Sequence, residues 1–240
     1  MPTCGKSGRA ASRECEVSEA VRSPRGRTRF AGAVLAAFAL VSAAVGLVAW
    51  HKYRLLAGPV PPGPYVDNPL VGADTYFRNL QGWRTGLLVA ALLQFSVWLS
   101  GMRDVADVLW RQGQRRRRAW LVFGWVVPVA QLFVPKMFVN DLWAAGGPEP
   151  QRRRGHPLLT AWWLSVLFAA NGYGDAVDDL RKAATASQAR HALRQVMVGE
   201  GLHVCAAALS IAVVLRLVRR LERATATAST EIRPTGGTGS

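Results

Sequence analysis

Five apolar segments, at 30–50, 85–102, 119–140, 157–174 and 196–217, contain uncharged runs of 21, 18, 17, 18 and 15 residues. A helix needs ~20 mostly apolar residues to cross a bilayer, and apolar runs inside water-soluble bundles are usually shorter. Five such segments in 240 residues leave little chain for a water-soluble core. The pattern therefore predicts an all-α integral membrane protein with its helical domain at 30–223. The flanks differ in composition: 1–29 is rich in Arg, Ser, Gly and Glu without an apolar period, and 224–240 is rich in Thr, Gly and Ser. Neither buries enough apolar surface to offset ordering entropy, so both are expected to be disordered tails.

The net charge of +15 would point first to nucleic acid in a soluble chain. Here the basic residues gather at the ends of the apolar runs, where they act as topology determinants. The expected partner is the lipid bilayer, with anionic headgroups at the cytoplasmic arginines and no nucleic acid. Cys4, Cys15 and Cys205 form no metal spacing or disulfide framework. The first apolar run follows a basic leader of 29 residues and has no small-x-small site immediately before Trp50, so it reads as an uncleaved anchor.

Lys and Arg set the orientation. Seven of them precede the first helix, which places the N-terminus in the cytoplasm and the protein in the cell membrane as a multi-pass chain. The loop 51–84 is then external; it holds Gly58-Pro-Val-Pro-Pro-Gly-Pro64, which favours extended polyproline-like chain, and is bracketed by Trp50 and Trp83. If 119–140 spans, 17 Lys/Arg lie inside and 12 outside; if it enters and leaves on the cytoplasmic side, the counts become 21 and 8. The second arrangement obeys the positive-inside rule better. The expectation is four transmembrane helices plus one proline-broken re-entrant or in-plane helix, with five transmembrane helices as the alternative.

The two prolines of that segment are Pro128 and Pro135. In a helix, each lacks an N–H and clashes with the carbonyl four residues back, freeing those of Gly124 and Gln131. A freed carbonyl in hydrocarbon must find a partner, and the Gln131 amide stands next to the break. Two readings follow: a broken helix lining a small polar cavity, or a kinked structural helix anchored by interfacial tryptophans.

The same region carries the clearest motif. Gly124-Trp125-x-x-Pro128-Val-x-Gln131-Leu132-Phe133-x-Pro135 is followed by Asp141-Leu142-Trp143 and then Trp162-Trp163; Phe95-x-x-Trp98-Leu99 with Arg103 precedes it. Together these resemble the signature of small multi-pass membrane proteins of high-GC bacteria catalogued as domain of unknown function 4328. Its usual pattern is GW-x-x-P-(I/V)-x-N-L-W-x-P, an acidic residue before LW, and a WW pair opening the next helix. Gln131 stands where that pattern has Asn, Phe133 where it has Trp, and Gly101 where it has Arg. The resemblance covers roughly 85–223 and implies a membrane architecture with no known activity.

Other motifs weigh less. Gly172-Tyr173-Gly174-Asp175 spells part of a potassium filter, but Ala170-Asn171 stand in place of Thr-Val. The better reading is a helix end at the glycines and a new helix over 176–193 capped by Asp175. Glu200-x-x-His203 has the i, i+3 spacing of di-iron bundles, which need two such pairs and two more carboxylates. Glu200 and His203 remain weak candidates for proton relay, with a hydrated position at the outer interface preferred. Gly32/Ala36, Ala39/Ala43 and Ser42/Gly46 favour close helix packing, within the bundle or between copies. No catalytic residue set, metal site or cofactor motif is read. The expected role is a non-enzymatic scaffold or accessory subunit of a membrane complex. The alternatives are a small transporter or channel around Gln131, and a membrane enzyme using Glu200 and His203.

Overall fold

The computed structural model describes residues 24–58, 69–110, 120, 127, 132–148, 155–171 and 174–232, with the side chains of 24–25 and 228–232 excepted. Regular structure among these residues is entirely helical: α1 (Pro24–Leu55), α2 (Pro69–Trp110), α3 (Val134–Ala145), α4 (Pro157–Asn171), α5 (Gly174–Lys182) and α6 (Ala186–Ile232). The chain divides into two compact units. The first comprises Met1–Ala31, Gln94–Leu159 and Val213–Ser240; the second comprises Gly32–Leu93 and Thr160–Ala212.

Packing seams on α1 and α6 follow a strict alternation of three and four residues. On α1 the buried positions are Thr28, Ala31, Leu35, Phe38, Ser42, Val45, Ala49 and Lys52. On α6 they include Leu193, Val196, Glu200, His203, Ala207, Ser210, Val214, Leu217 and Leu221. A repeat averaging 3.5 residues keeps one stripe facing a partner helix along its whole length, as in left-handed helix pairs. The opposite faces are apolar too: Leu40, Leu47, Val89, Leu93, Leu164, Phe168 and Val198 are exposed. Apolar side chains outward and ionisable ones inward is the distribution that hydrocarbon, rather than water, selects.

Three helical stretches are long and apolar enough to cross a membrane, Gly26–Leu55, Pro69–Trp110 and Ala186–Thr227. The apolar helix α4 has 15 residues, a rise of ~22 Å, which falls short of a ~30 Å hydrocarbon core. α2 begins well before the apolar run at 85, so 69–84 is helix where the sequence predicts loop. Pro69 occupies its first position, where a missing N–H costs nothing, and Ala73, Phe77, Leu80 and Arg84 then fall on one packed face.

The third apolar segment is not one continuous helix. Phe133 has φ −129° and ψ −38° and caps α3, so helix begins only at Val134. Pro135 therefore lies in the first turn of α3, where its missing N–H displaces no hydrogen bond within that helix. Gly124, Trp125, Pro128 and Gln131 lie outside the described residues.

The helix expected over 176–193 is broken. α5 ends at Lys182 and α6 starts at Ala186. Thr185 Oγ1 accepts the Gln188 N–H at 3.3 Å, while Gln188 Oε1 accepts the N–H groups of Ala184 and Thr185 at 3.0 and 3.2 Å. This is a capping box, Thr-x-x-Gln, whose sequence signal is present at 185–188. Beyond Arg223, α6 continues to Ile232, into the segment read as a tail.

Candidate functional site

In the second unit the seams of α1, α2 and α6 bring together the ionisable side chains Arg84, Glu200 and His203. Val45, Ala49, Phe77, Ala176, Leu193 and Val196 form the buried cluster of this unit, with Tyr53, Leu80, Val177 and Met197 packed on it. One and two turns along α6 from Val196, the same stripe presents Glu200, 1% exposed, and His203, 5% exposed. Opposite them α2 presents Arg84, 4% exposed.

The geometry is closed. Arg84 Nε stands 3.0 Å from Glu200 Oε1 and donates to Oε2 at 3.3 Å. Arg84 Nη2 lies 2.8 Å from His203 Nε2. His203 Nδ1 is 2.8 Å from the Gly199 carbonyl, which only accepts, so the proton belongs on Nδ1 and Nε2 offers its lone pair to the guanidinium. Glu200 and His203 approach each other only to 4.0 Å; Arg84 joins them. Phe38 of α1 closes the group, its ring edge-on to His203 at 5.8 Å and 6.0 Å from the guanidinium carbon. Gly46 of α1 sits against Glu200, where an added methyl would stand 3.6 Å from the glutamate Cβ.

Glu200 and His203 are thus enclosed by protein, not hydrated at an outer interface as expected. Their 3–4 spacing within the apolar seam of α6 is the signal that would have placed them inside. Arg84 stood just before an apolar run and was read as a loop residue. Of the small-residue pairs, Ser42/Gly46 lies on the packed face, whereas Gly32 has open space around it.

Arg84 also lines an open cleft of about 1360 Å³ in this unit, together with Lys52, Asp74, Arg78, Asp178 and Arg181. Lys52 reaches Asp74 at 2.7 Å, with its ammonium 4.8 Å from the Phe77 ring centre. Among the described residues no three His, Cys, Asp or Glu side chains converge as metal ligands would.

Most of the described motif residues are buried. In the first unit Trp98 is fully buried and donates from Nε1 to Thr28 Oγ1 at 3.1 Å. Arg103 is buried with its guanidinium 5.2 Å from the Phe138 ring centre. Pro135, Asp141, Leu142 and Trp143 are buried on α3, while Leu132 is exposed. Arg220 donates from Nε to the Trp143 carbonyl at 3.0 Å and lies over its ring at 4.7 Å. Gly146 and Gly147 leave room for that arginine. In the second unit Trp162 and Trp163 are buried, and Trp162 Nε1 donates to Ser210 Oγ at 2.9 Å.

His156 ties α3 to α4. It packs on Trp143 at 4.5 Å, and its Nδ1 accepts the Leu158 N–H at 3.2 Å, capping α4. Burial, and then Arg216 and Arg220, hold its pKa below the usual 6.5. The folded form therefore binds the proton less readily than the unfolded form. The stability of the neutral ring is full above 6.5 and falls as the pH drops below it. Unfolding midpoints in detergent from about pH 8 to 5 should decline for the natural chain and stay flatter for His156→Asn, which keeps a cap that does not titrate. Parallel pH profiles would refute this.

A family model with the description "Domain of unknown function (DUF4328)" matches residues 69–223. No curated protein matches the chain, and no solved structure does.

Proposed function

The chain belongs to the DUF4328 family, and on that footing we propose that it is a multi-pass, non-enzymatic membrane protein, a scaffold or accessory subunit of a membrane complex. The observation that carries this reading is the closed Arg84–Glu200–His203 group. Its carboxylate and imidazole are both engaged by one guanidinium. Such a group fixes the register of helices in hydrocarbon, where each ionisable side chain needs a partner. The exposed apolar faces of α1, α2 and α4 then meet lipid or a partner protein.

We further propose four crossings, by α1, α2, α6 and the apolar segment at 157–174, where local thinning of the bilayer accommodates the short α4, with α3 in or near the cytoplasmic interface and the N-terminus in the cytoplasm. Supporting this are the lysine and arginine asymmetry, the 12-residue length of α3 and its non-helical entry at Phe133. The transporter reading rests on Pro128 and Gln131, outside the described residues. An enzyme reading is favoured by one observation, the convergence of an acid and an imidazole beside the cleft.

The test combines topology with assembly. After replacement of Cys4, Cys15 and Cys205, single cysteines at Gly146, Ala183 and Gly237 should label from outside only at position 183. External labelling at 146 and 237 but not 183 would overturn the four-span reading. On native gels of gently solubilised membranes, the chain should migrate in a larger assembly, and a folded Arg84→Met/Glu200→Met/His203→Leu variant should stay there. A folded triple variant that leaves the assembly would refute the purely structural role.

A further inference from the structure

We propose that Tyr53, Arg190 and Arg194 form a cradle for the phosphodiester of an anionic lipid headgroup. Arg190 and Arg194 lie one turn apart on α6 and converge on a single phenol of α1. Arg194 Nη2 donates to Tyr53 Oη at 2.9 Å and Arg190 Nη2 at 3.3 Å. Both guanidinium carbons lie near the ring, 5.0 and 5.3 Å from its centre. Trp50 stacks on the same ring at 5.9 Å and 13°.

Two like charges held against one hydroxyl repel each other. Among the described residues no carboxylate pairs with either arginine, and the buried Arg190 Nε has no hydrogen-bond acceptor. With its oxygen accepting from both arginines, Tyr53 has its own O–H left to donate outward. The cradle therefore presents two guanidinium forks and a phenol, all donors and no acceptor. The complement is an oxyanion with several acceptors, and arginine forks match phosphate oxygens in particular.

Position selects lipid over free phosphate. Tyr53 lies three residues past Trp50, the end of the first apolar run, a rise of ~4.5 Å. Arg194 precedes Val196, where the apolar seam of α6 continues, by two residues. Tyr53 and Arg194 thus stand within one turn of the hydrocarbon edge, where headgroup phosphates lie, and Arg190 stands one turn further out. Half-exposed Trp50 is the kind of ring that settles at that depth.

This inference rests on the membrane reading but not on the scaffold role. Flotation of the full chain with pure phosphatidylcholine vesicles tests membrane insertion by itself. Native mass spectrometry of the purified chain, titrated with phosphatidylglycerol or phosphatidylcholine, tests the cradle. Phosphatidylglycerol should be retained preferentially, and Arg190→Gln/Arg194→Gln should weaken it roughly 30-fold. Arg78→Gln/Arg181→Gln, which removes two cleft arginines, should leave it unchanged. Should the first variant not fold, Tyr53→Phe decides, with roughly fivefold weakening expected. The proposal is overturned if the folded Arg190/Arg194 variant keeps full preference, if the Arg78/Arg181 variant loses as much, if Tyr53→Phe binds unchanged, or if inorganic phosphate displaces the lipid at comparable concentration.

Discussion

Glu200→Ala is expected to destabilise the folded chain by about 3–5 kcal/mol, because it leaves the Arg84 guanidinium enclosed without its anion. The side chains of Arg84 and Glu200 are 5% and 1% exposed, so water cannot replace the lost carboxylate without opening the seam. His203 gives Arg84 one neutral acceptor, which softens the loss but does not balance the charge. Removing the charges together should behave differently. Arg84→Met/Glu200→Met should lie within about 1–2 kcal/mol of the natural chain, since matched apolar replacements often equal or exceed a buried ion pair. Reversible unfolding in mixed micelles, followed by circular dichroism, measures both. A Glu200→Ala cost under about 1 kcal/mol would mean that the carboxylate is hydrated, and the closed-group reading would fall.

Trp98→Ala should cost a similar amount, about 3–5 kcal/mol, by a different route. Trp98 is fully buried in the first unit, tilted against Phe95 at 5.5 Å and bonded to Thr28. Truncation leaves a cavity whose lining loses its contacts, and one buried hydrogen bond goes with the indole. Trp98→Phe should cost about 1–2 kcal/mol, since most of the volume stays and one hydrogen bond goes. Trp83→Ala is the control: that ring is 72% exposed and its loss should change stability by under about 0.5 kcal/mol. If Trp98→Ala and Trp83→Ala unfold alike, the motif tryptophan is a surface anchor and not a packing element.

The comparison of sequence with structure divides along physical lines. Uncharged runs revealed where the long helices lie, because membrane insertion depends on composition over a whole turn-rich stretch. They underestimated helix ends: α2 starts at Pro69 and α6 at Ala186, since a packed face can carry Arg84, Arg190 or Arg194 and still be helix. The break before α6 is legible in Thr185 and Gln188, whose Thr-x-x-Gln spacing is that of a capping box. Burial of Glu200 and His203 was also legible, through the seam shared with Val196 and Ala207. Arg84 as their partner was not, because 116 residues separate it from Glu200 and nothing local encodes that pairing. The cradle at Tyr53 is hidden for the same reason: two arginines on one helix meet a phenol on another.

That separation also orders events during synthesis. At ~5–20 residues per second, α6 brings Glu200 to the membrane roughly 6–23 s after Arg84 has been made. On the proposed multi-pass reading, α1 and α2 stand in the membrane during that interval with Arg84 not yet joined to Glu200. Arg84 directly precedes the uncharged run of α2, so its long side chain can reach toward the headgroups and wait there. The arrival of α6 then draws the guanidinium inward to Glu200 and His203. On that reading, integration of the last helix and the pairing of Arg84 with Glu200 become a single event, and a chain that stalls before Glu200 lacks the partner that closes the group.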